Sequence, residues 1–214
     1  MSKIIIAIDG PAAAGKGTLA RKLAAHYDFA YLDTGSLYRA VALTLILSGK
    51  PDPSESEAED AANNLNPAIL TDSELRAEAT GKLASRVATM QKVRDALKIF
   101  QIDFANNPPE GQQGAVLDGR DIGTVICPDA PCKIYVTATD QVRAKRRWME
   151  LSARGDERPF NDILQDLIAR DRQDQQRAAA PLKPAKDAYR LDTSDLSPEA
   201  VLKKAIEIVD SRIK

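Results

Sequence analysis

Residues 10–18 have the types and spacing of a phosphate-binding loop. Gly10 and Gly15 allow backbone N–H groups to approach phosphate oxygens, and a helix beginning here adds a dipole that favours an anion. Lys16 can neutralise the charge of β- and γ-phosphates, and the Thr18 hydroxyl can help to hold Mg²⁺. The predicted nucleotide-binding residues are Gly10, Pro11, Ala12, Ala13, Ala14, Gly15, Lys16, Gly17 and Thr18.

The context of this loop supports the prediction. An apolar run over residues 3–9 predicts a buried strand directly before it, and a helical pattern over 15–27 follows. A Gly/Ala-rich turn with an incidental lysine is the alternative interpretation. The pattern departs from the strict motif at Gly17, where Ser or Thr would usually follow the lysine.

A second group of polar residues follows the next predicted strand, at residues 29–33. In an open parallel sheet the ligand crevice lies beyond the carboxyl ends of the strands, so we expect this group to face the phosphate-binding loop. Arg39 could bind an acceptor phosphate as a fork, and Thr34 and Tyr38 offer hydroxyls. Alternatively, Arg39 is a solvated arginine on a helix surface.

The sequence Asp118-Gly119-Arg120-Asp121 ends a third predicted strand. Asp118 could support Mg²⁺ through a water molecule, and Arg120 could be a second phosphate clamp. Asp121 could pair with an arginine or a ribose. A plain Asp-Gly turn is the alternative.

Arginines are concentrated between residues 143 and 177. Residues 170, 174 and 177 have the spacing of one helix face. A helix–loop–helix of this kind suits a lid that closes over transferring phosphates and excludes water, while a charge-patterned solvated helix pair is the alternative. The arginines are Arg143, Arg146, Arg147, Arg154, Arg158, Arg170, Arg172 and Arg177. We predict that four residues act in catalysis: Lys16, Arg120, Arg146 and Arg147.

Apolar runs alternate with longer amphipathic stretches along the whole chain, which predicts an α/β fold with a parallel sheet covered by helices on both faces. The five predicted strands lie at 3–9, 29–33, 115–118, 133–138 and 189–192. Helices are predicted at 15–27, 37–47, 75–104, 140–154, 159–179 and 198–213, and the polar segment 48–57 is predicted to be a connection.

Composition excludes several other classes of protein. The 214 residues include 30 basic and 31 acidic ones, a net charge near −1 that gives no case for nucleic acid or an acidic membrane. No stretch has the roughly 20 apolar residues of a membrane span, and the apolar run at 4–8 is too short for a signal peptide. Cys127 and Cys132, with a single histidine, argue against a structural zinc site. Two reduced thiols in a cytoplasmic protein are the favoured interpretation, and a disulfide is the alternative. We expect a monomer.

These segments together resemble those of bacterial cytidylate kinases, over nearly the whole chain. The Lys-Gly-Thr order is the variant found in nucleoside monophosphate kinases, and the most specific match is the block 118–125, Asp-Gly-Arg-Asp-Ile-Gly-Thr-Val. The resemblance implies an adenylate-kinase-like P-loop fold with a five-stranded parallel sheet. It also implies transfer of the γ-phosphate of ATP, with Mg²⁺, to CMP and dCMP.

The resemblance also implies roles for individual residues and regions. Arg39 and Arg120 would hold the CMP phosphate, and Arg170 and Asp174 would contact ribose or phosphate. The cytosine ring would be read by Ser85, Arg94, Asp121 and Arg177. The core would comprise about 1–64, 90–142 and 181–214, with an acceptor-binding insertion at 65–89 and a lid at 143–180. The insertion is shorter than in longer family members, with room for at most a brief strand pair at 69–78.

Two other functions are compatible with a phosphate-binding loop. An adenylate or shikimate kinase would share the fold, but the block at 118–121 and the segment 33–39 argue against both. An ATP-hydrolysing switch would need a residue that positions water, for which the sequence offers no obvious candidate. A panel of acceptors distinguishes all three.

Overall fold

The computed structural model describes residues 3–213, apart from the side chain of Glu110. Met1, Ser2 and Lys214, which the predicted domain includes, lie outside the described residues. Within this part of the chain, five strands form one sheet in the order β2-β3-β1-β4-β5. The strands are β1 (Ile4–Asp9), β2 (Ala30–Asp33), β3 (Gly114–Gly119), β4 (Cys132–Thr137) and β5 (Tyr189–Asp192).

The central strand is β1, which pairs in parallel with β3 on one side and β4 on the other. Its residues Ile6, Ala7 and Ile8 are completely buried, as expected for a strand covered on both faces. The predicted α/β fold with a parallel sheet is therefore confirmed.

Eight helices are described in residues 3–213, and none of them is long and apolar enough to cross a lipid bilayer. They are α1 (Lys16–Tyr27), α2 (Thr34–Leu47), α3 (Glu55–Asn63), α4 (Glu78–Val87), α5 (Gln91–Asn106), α6 (Asp140–Ser152), α7 (Phe160–Gln176) and α8 (Pro198–Ile213). Apolar residues of α1 and α8, including Leu23 and Val209, pack with the strands in one buried cluster.

The chain divides into two compact units. The sheet unit contains the described residues up to Leu32 and from Ala105 onward, and the helical unit is Asp33–Phe104. The helical unit has a small core of its own, in which Ala40 and Leu43 of α2 pack with Leu75.

The single helix predicted over 75–104 is wrong, because the structure has α4 and α5 with a break at residues 88–90. The Thr89 hydroxyl donates to the Arg86 carbonyl at 2.7 Å, and the Arg94 guanidinium donates to the Ala88 carbonyl at 3.1 Å. Because these side chains satisfy carbonyls at the helix end, the chain can leave the helix without losing hydrogen bonds.

The brief strand pair considered for 69–78 does not form. Residues Pro67–Thr71 and Ser73–Arg76 make two 3-10 turns. Each begins at a side-chain cap, with Asn66 accepting from the Ala68 N–H and Asp72 from the Glu74 N–H. Such local bonds favour turns over strands.

Several predicted boundaries also differ from the structure, and α2, for example, begins at Thr34 rather than at residue 37. The segment predicted as a connection at 48–57 already enters α3, whose first turn is closed by a reciprocal capping box between Ser54 and Glu57. Helix α7 ends at Gln176 rather than at 179, because the Arg177 backbone is extended and its side chain donates to the Ala180 carbonyl at 2.8 Å.

Candidate active site

The phosphate-binding loop connects β1 to α1 in the sheet unit, as predicted. Gly10 has a φ of 147°, and a Cβ at this position would overlap the Val136 carbonyl oxygen of β4. Gly15 has a φ of 91° directly before the first residue of α1. At position 10, only glycine can adopt the positive φ and also lack the Cβ that would overlap Val136. Gly10 therefore allows the loop to pass close to β4 as it leaves the sheet.

Lys16 lies buried inside this loop, and its ammonium donates to the Pro11 carbonyl at 2.8 Å. Burial and the nearby cations Arg120 and Arg170 together lower its pKa to about 7, against the opposing charges of Asp118 and Asp9. Three cations are therefore gathered beside the loop. Such an arrangement favours the arrival of a phosphate, which would offset their mutual repulsion.

The end of β3 places Asp118 beside the start of α1. Its carboxylate accepts from the Tyr31 hydroxyl at 3.5 Å, and a Cβ on Gly17 would lie 3.1 Å from the same carboxylate oxygen. The departure from the strict motif at Gly17 thus leaves room next to Asp118. Thr18, the predicted metal ligand, is exposed and lines a cavity next to the loop.

Residues 3–213 contain no group of three or more His, Cys, Asp or Glu side chains that could hold a metal ion without help. Mg²⁺ commonly keeps several waters and binds one or two carboxylates together with substrate phosphates. A single buried carboxylate with space beside it, next to a phosphate-binding loop, fits that kind of site. Asp118 is the residue in this position.

Four of the predicted acceptor residues come together in the sheet unit. The Arg120 Nε lies 3.0 Å from an Asp174 oxygen, and Arg177 lies 3.9 Å from Asp174 and 3.7 Å from Asp121. Burial would raise the pKa of Asp174, but the charges of Arg120 and Arg170 hold it below its usual value. The four side chains form a buried charge network. Asp174 lies on α7 and Arg177 just beyond its end, so the single helix face predicted for residues 170, 174 and 177 forms only in part.

The arginines of α6 are already engaged near the loop. Arg143, only 3% exposed, donates to the Ala12 carbonyl at 3.1 Å and pairs with Asp140 and Asp171 at 2.6 Å each. It therefore braces the phosphate-binding loop against α6 and α7. Sequence reasoning grouped it with the lid arginines because its burial is not visible in the sequence.

Arg146 and Arg147 line a cavity of about 450 Å³ next to Gly15 and Thr18. Arg146 donates to the Thr193 hydroxyl at 2.9 Å and to the Thr193 carbonyl at 2.7 Å, whereas Arg147 pairs with Glu150 at 2.9 Å. The remaining wall is partly apolar and includes Leu19, Leu196, Pro198 and Val201.

Sequence reasoning missed Thr193. Its buried hydroxyl lies 3.2 Å from the Ala14 carbonyl and 3.1 Å from the Thr137 carbonyl, so it joins the phosphate-binding loop, β4 and Arg146. The signal for it was its position directly after β5, at the carboxyl end of a strand.

In the helical unit, Arg39 and Arg94 are each held by a backbone carbonyl. Arg39 donates to the Leu75 carbonyl at 3.1 Å, and a Cβ on Gly81 would lie 3.0 Å from its Nη2. Arg94 is buried, and its guanidinium lies 5.7 Å from the centre of the Tyr38 ring. The structure thus brings Arg94 and Tyr38, two of the predicted acceptor residues, together, and it places Gly81, which sequence reasoning missed, against Arg39.

The other two predicted residues of the helical unit, Thr34 and Ser85, lie on α2 and α4. Thr34 is the buried first residue of α2, where the preceding Asp33 accepts from the Ser36 N–H at 3.2 Å. Ser85 lies half-buried on α4, one turn after Gly81.

Comparisons with known proteins identify the family of the chain. The cytidylate kinase family model matches residues 6–211. The cytidylate kinase of Nitrobacter winogradskyi is 54% identical over 208 residues, covering 97% of this chain and 96% of that protein. Those of Bradyrhizobium sp. and Rhodospirillum rubrum are 51% and 52% identical, over 97% and 96% of this chain and 96% and 97% of theirs.

Two solved structures share the fold at low sequence identity. An uncharacterized protein from Eubacterium ventriosum matches with a TM-score of 0.58 and 16% identity, over 98% of this chain and 100% of that one. TT1252 from Thermus thermophilus matches with a TM-score of 0.51 and 17% identity, over the whole of both chains. The family is shown by the sequence matches, which run through the phosphate-binding loop and the Asp118–Asp121 segment, and the chain belongs to the cytidylate kinase family.

Proposed function

We infer that this chain is a (d)CMP kinase, which transfers the γ-phosphate of ATP to CMP and dCMP. Membership of the cytidylate kinase family, over residues 6–211, is the observation that carries this conclusion. The arrangement of charges around Lys16 gives it a physical basis. Both substrates are anions, so the reaction needs cations that offset their repulsion, and it needs no histidine base.

We propose that Lys16, Arg120 and Arg170 carry the phosphate charge during transfer. Their proximity in the sheet unit supports this role, since each contributes to the electrostatics of the buried loop. Because the guanidinium of Arg120 is held by Asp174 at 3.0 Å, it is oriented before substrate binds. The protein contributes alignment and charge stabilisation rather than a chemical base.

We propose that Mg²⁺ binds together with ATP, held by the phosphates and, through water, by Asp118. The space that Gly17 leaves beside the Asp118 carboxylate supports this assignment. The ion would supply further neutralisation of the phosphate charge. Thr18 stays a predicted contributor to the same site.

We propose that the cavity beside Gly15 takes the adenosine of ATP. Its volume of about 450 Å³ is within the usual range for a small-molecule site, and it opens directly onto the phosphate-binding loop. Leu19 and Val201 offer apolar surface for a base, and the guanidinium of Arg146 or Arg147 could stack on it.

For the acceptor, we propose that Arg39 binds the CMP phosphate, and that Arg94, with Ser85, contributes to reading the base. The Arg94 guanidinium is fixed by Tyr38 and the Ala88 carbonyl, which suits selection of one base rather than adaptable binding. In the sheet unit, Asp121 and Arg177 are proposed to read the base. Asp174 and Arg170 are proposed to contact ribose or phosphate.

The regions 65–89 and 143–180 stay proposals for the acceptor-binding insertion and the lid. Helices α6 and α7 share an apolar cluster of Ala144, Leu151, Ile163 and Leu167, against which Ala12 and Ala13 of the phosphate-binding loop pack. A movement of α6 and α7 would therefore change the contacts of the phosphate-binding loop. This contact supports a lid that excludes water from the transferring phosphate.

The experiment is ADP production from Mg-ATP with CMP, dCMP, UMP, AMP or shikimate, and without acceptor. We expect turnover with CMP and dCMP that is abolished in Lys16→Ala while the fold is retained. Preferred turnover of AMP or shikimate would replace the acceptor assignment. Equal ADP production without an acceptor would indicate the ATP-hydrolysing switch instead.

A further inference from the structure

The buried carboxylate of Asp9 has no role in the function proposed above. Asp9 ends β1 and is only 4% exposed. One of its oxygens accepts from the Ile122 N–H and the other from the Gly123 N–H, both at 2.8 Å. These two amides open the π-helical turn Ile122–Ile126, which follows the Asp118–Asp121 segment.

The first N–H groups of any helical turn have no partner within the turn, and a carboxylate there is also favoured by the helix dipole. The residue before a helix commonly supplies that carboxylate itself. Here Asp121 precedes the turn, but its side chain makes no capping hydrogen bond. Its carboxylate instead lies 3.7 Å from the Arg177 guanidinium.

The cap therefore comes from a residue 113 positions away in the sequence. We propose that Asp9 is a positioning residue of the reaction: by capping this turn in place of Asp121, it leaves the Asp121 carboxylate directed at Arg177, where the two select the acceptor base. This inference rests on the proposed function, in which Asp121 and Arg177 contact cytosine. It adds a reason why the end of β1 carries an acidic residue.

Two other roles for Asp9 make different predictions. If the carboxylate only stabilised the fold, its loss would lower stability and reduce turnover of every acceptor equally. If it acted mainly as a charge partner of Lys16, whose pKa it raises, its loss would change the KM for ATP. If Asp9 acts through Asp121, its loss should change the kinetics with the acceptor and the selectivity between acceptor bases.

The test is Asp9→Asn, which keeps the shape of the side chain and one acceptor oxygen, but places an amide N–H against a backbone N–H. We expect the preference for CMP over UMP, measured as the ratio of kcat/KM values, to fall about tenfold. The KM for ATP should change by less than about twofold. Asp210→Asn is the control, because the Asp210 carboxylate is also a hydrogen-bond acceptor. It accepts from the hydroxyl of Tyr27 at 2.9 Å, and Tyr27 is at the opposite end of α1 from the phosphate-binding loop.

A double-mutant cycle with Asp121→Asn gives a readout that a purely structural role would not move. If Asp9 acts through Asp121, Asp9→Asn should change the CMP/UMP ratio by less than about twofold in the Asp121→Asn background. Additive effects, or an unchanged ratio in the single variant, would overturn the inference.

Asp9→Ser, which keeps a single neutral acceptor, is the second variant in case the first does not fold. Failure of both variants to fold in the presence of CMP would assign Asp9 to fold stability and overturn the inference. Absence of CMP-dependent turnover in the wild-type protein would instead refute the proposed function, so the two failures are distinguishable.

Discussion

Replacing Gly81 by alanine tests whether Arg39 binds the acceptor phosphate. The added Cβ would lie 3.0 Å from Nη2, 3.1 Å from Nη1 and 3.4 Å from Cζ of Arg39. These atoms are the far end of a flexible side chain, so the guanidinium can move aside without a shift of the backbone. Its bond to the Leu75 carbonyl, 3.1 Å long, would then be strained or lost.

The substitution affects two quantities, the stability of the fold and the kcat/KM for CMP. Alanine within α4 should stabilise the helix by about 0.5–1 kcal/mol relative to glycine, which offsets the loss of the Leu75 bond, so the stability of the fold should change little. A hydrogen bond to a charged group contributes about 1.5–3 kcal/mol, which corresponds to roughly 10- to 150-fold in kcat/KM for CMP if Arg39 no longer reaches the phosphate. Because the guanidinium is displaced and not removed, we expect the lower end of that range.

The assay is ADP production at varied CMP and saturating ATP, with thermal unfolding of the same samples. We expect a raised KM for CMP, a nearly unchanged KM for ATP, and a melting temperature close to that of the wild type. In an Arg39→Ala background, Gly81→Ala should have little further effect. An unchanged KM for CMP in the folded Gly81→Ala protein would refute the reasoning.

Four further predictions concern residues of the sheet unit and of the helical unit. Thr193→Val removes one acceptor from Arg146, so the KM for ATP should rise about fivefold, as measured at saturating CMP; an unchanged value would separate Thr193 from the donor site. Arg94→Ala should weaken the discrimination between CMP and UMP in kcat/KM, and unaltered selectivity would contradict its assignment. Burial raises the pKa of Asp9 from 3.8 to about 6, so stability present below pH 4 is lost as pH rises through 6. The free energy of unfolding of the wild type should therefore fall by about 2 kcal/mol between pH 4 and pH 7, relative to that of Asp9→Asn. Equal pH dependence in the two proteins would contradict the shift. Since burial and nearby cations lower the pKa of Lys16 to about 7, ATP binding at pH 8 should be accompanied by proton uptake, seen in calorimetry as a dependence on the buffer's ionisation enthalpy; a buffer-independent heat would contradict it.

The parts of the fold that could be predicted from the sequence are those fixed by local chemistry. A strand such as β1 is a continuous apolar run, and Gly10 and Gly15 provide conformations that few other residues adopt. The sheet, the loop and the order of most helices follow from such signals. The capping box of Ser54 and Glu57 was equally local, since the two residues are three apart, and α3 could have been predicted from it.

The parts that could not be predicted depend on residues far apart in the chain. Thr193 contacts Ala14 across 179 positions, and Asp9 contacts Ile122 across 113. A single sequence contains no information on such pairs. The break between α4 and α5 was missed for a different reason. Helical periodicity continues through it, and periodicity does not reveal that the Arg94 side chain satisfies the Ala88 carbonyl at the break.

Two buried charged groups, Asp9 at the end of β1 and Lys16 at the start of α1, reduce the stability of the fold. Burial shifts the pKa of Asp9 upward and that of Lys16 downward, so in both cases folding disfavours the charged form. A core optimised for stability alone would place apolar residues there. Substrate phosphate would restore the charge of Lys16, whereas nothing in the proposed reaction neutralises Asp9, whose partners are two backbone amides already in place. The position of Asp9 is thus best explained by what its carboxylate holds, the turn that follows Asp121, and the cost in stability is consistent with a role in positioning the acceptor site.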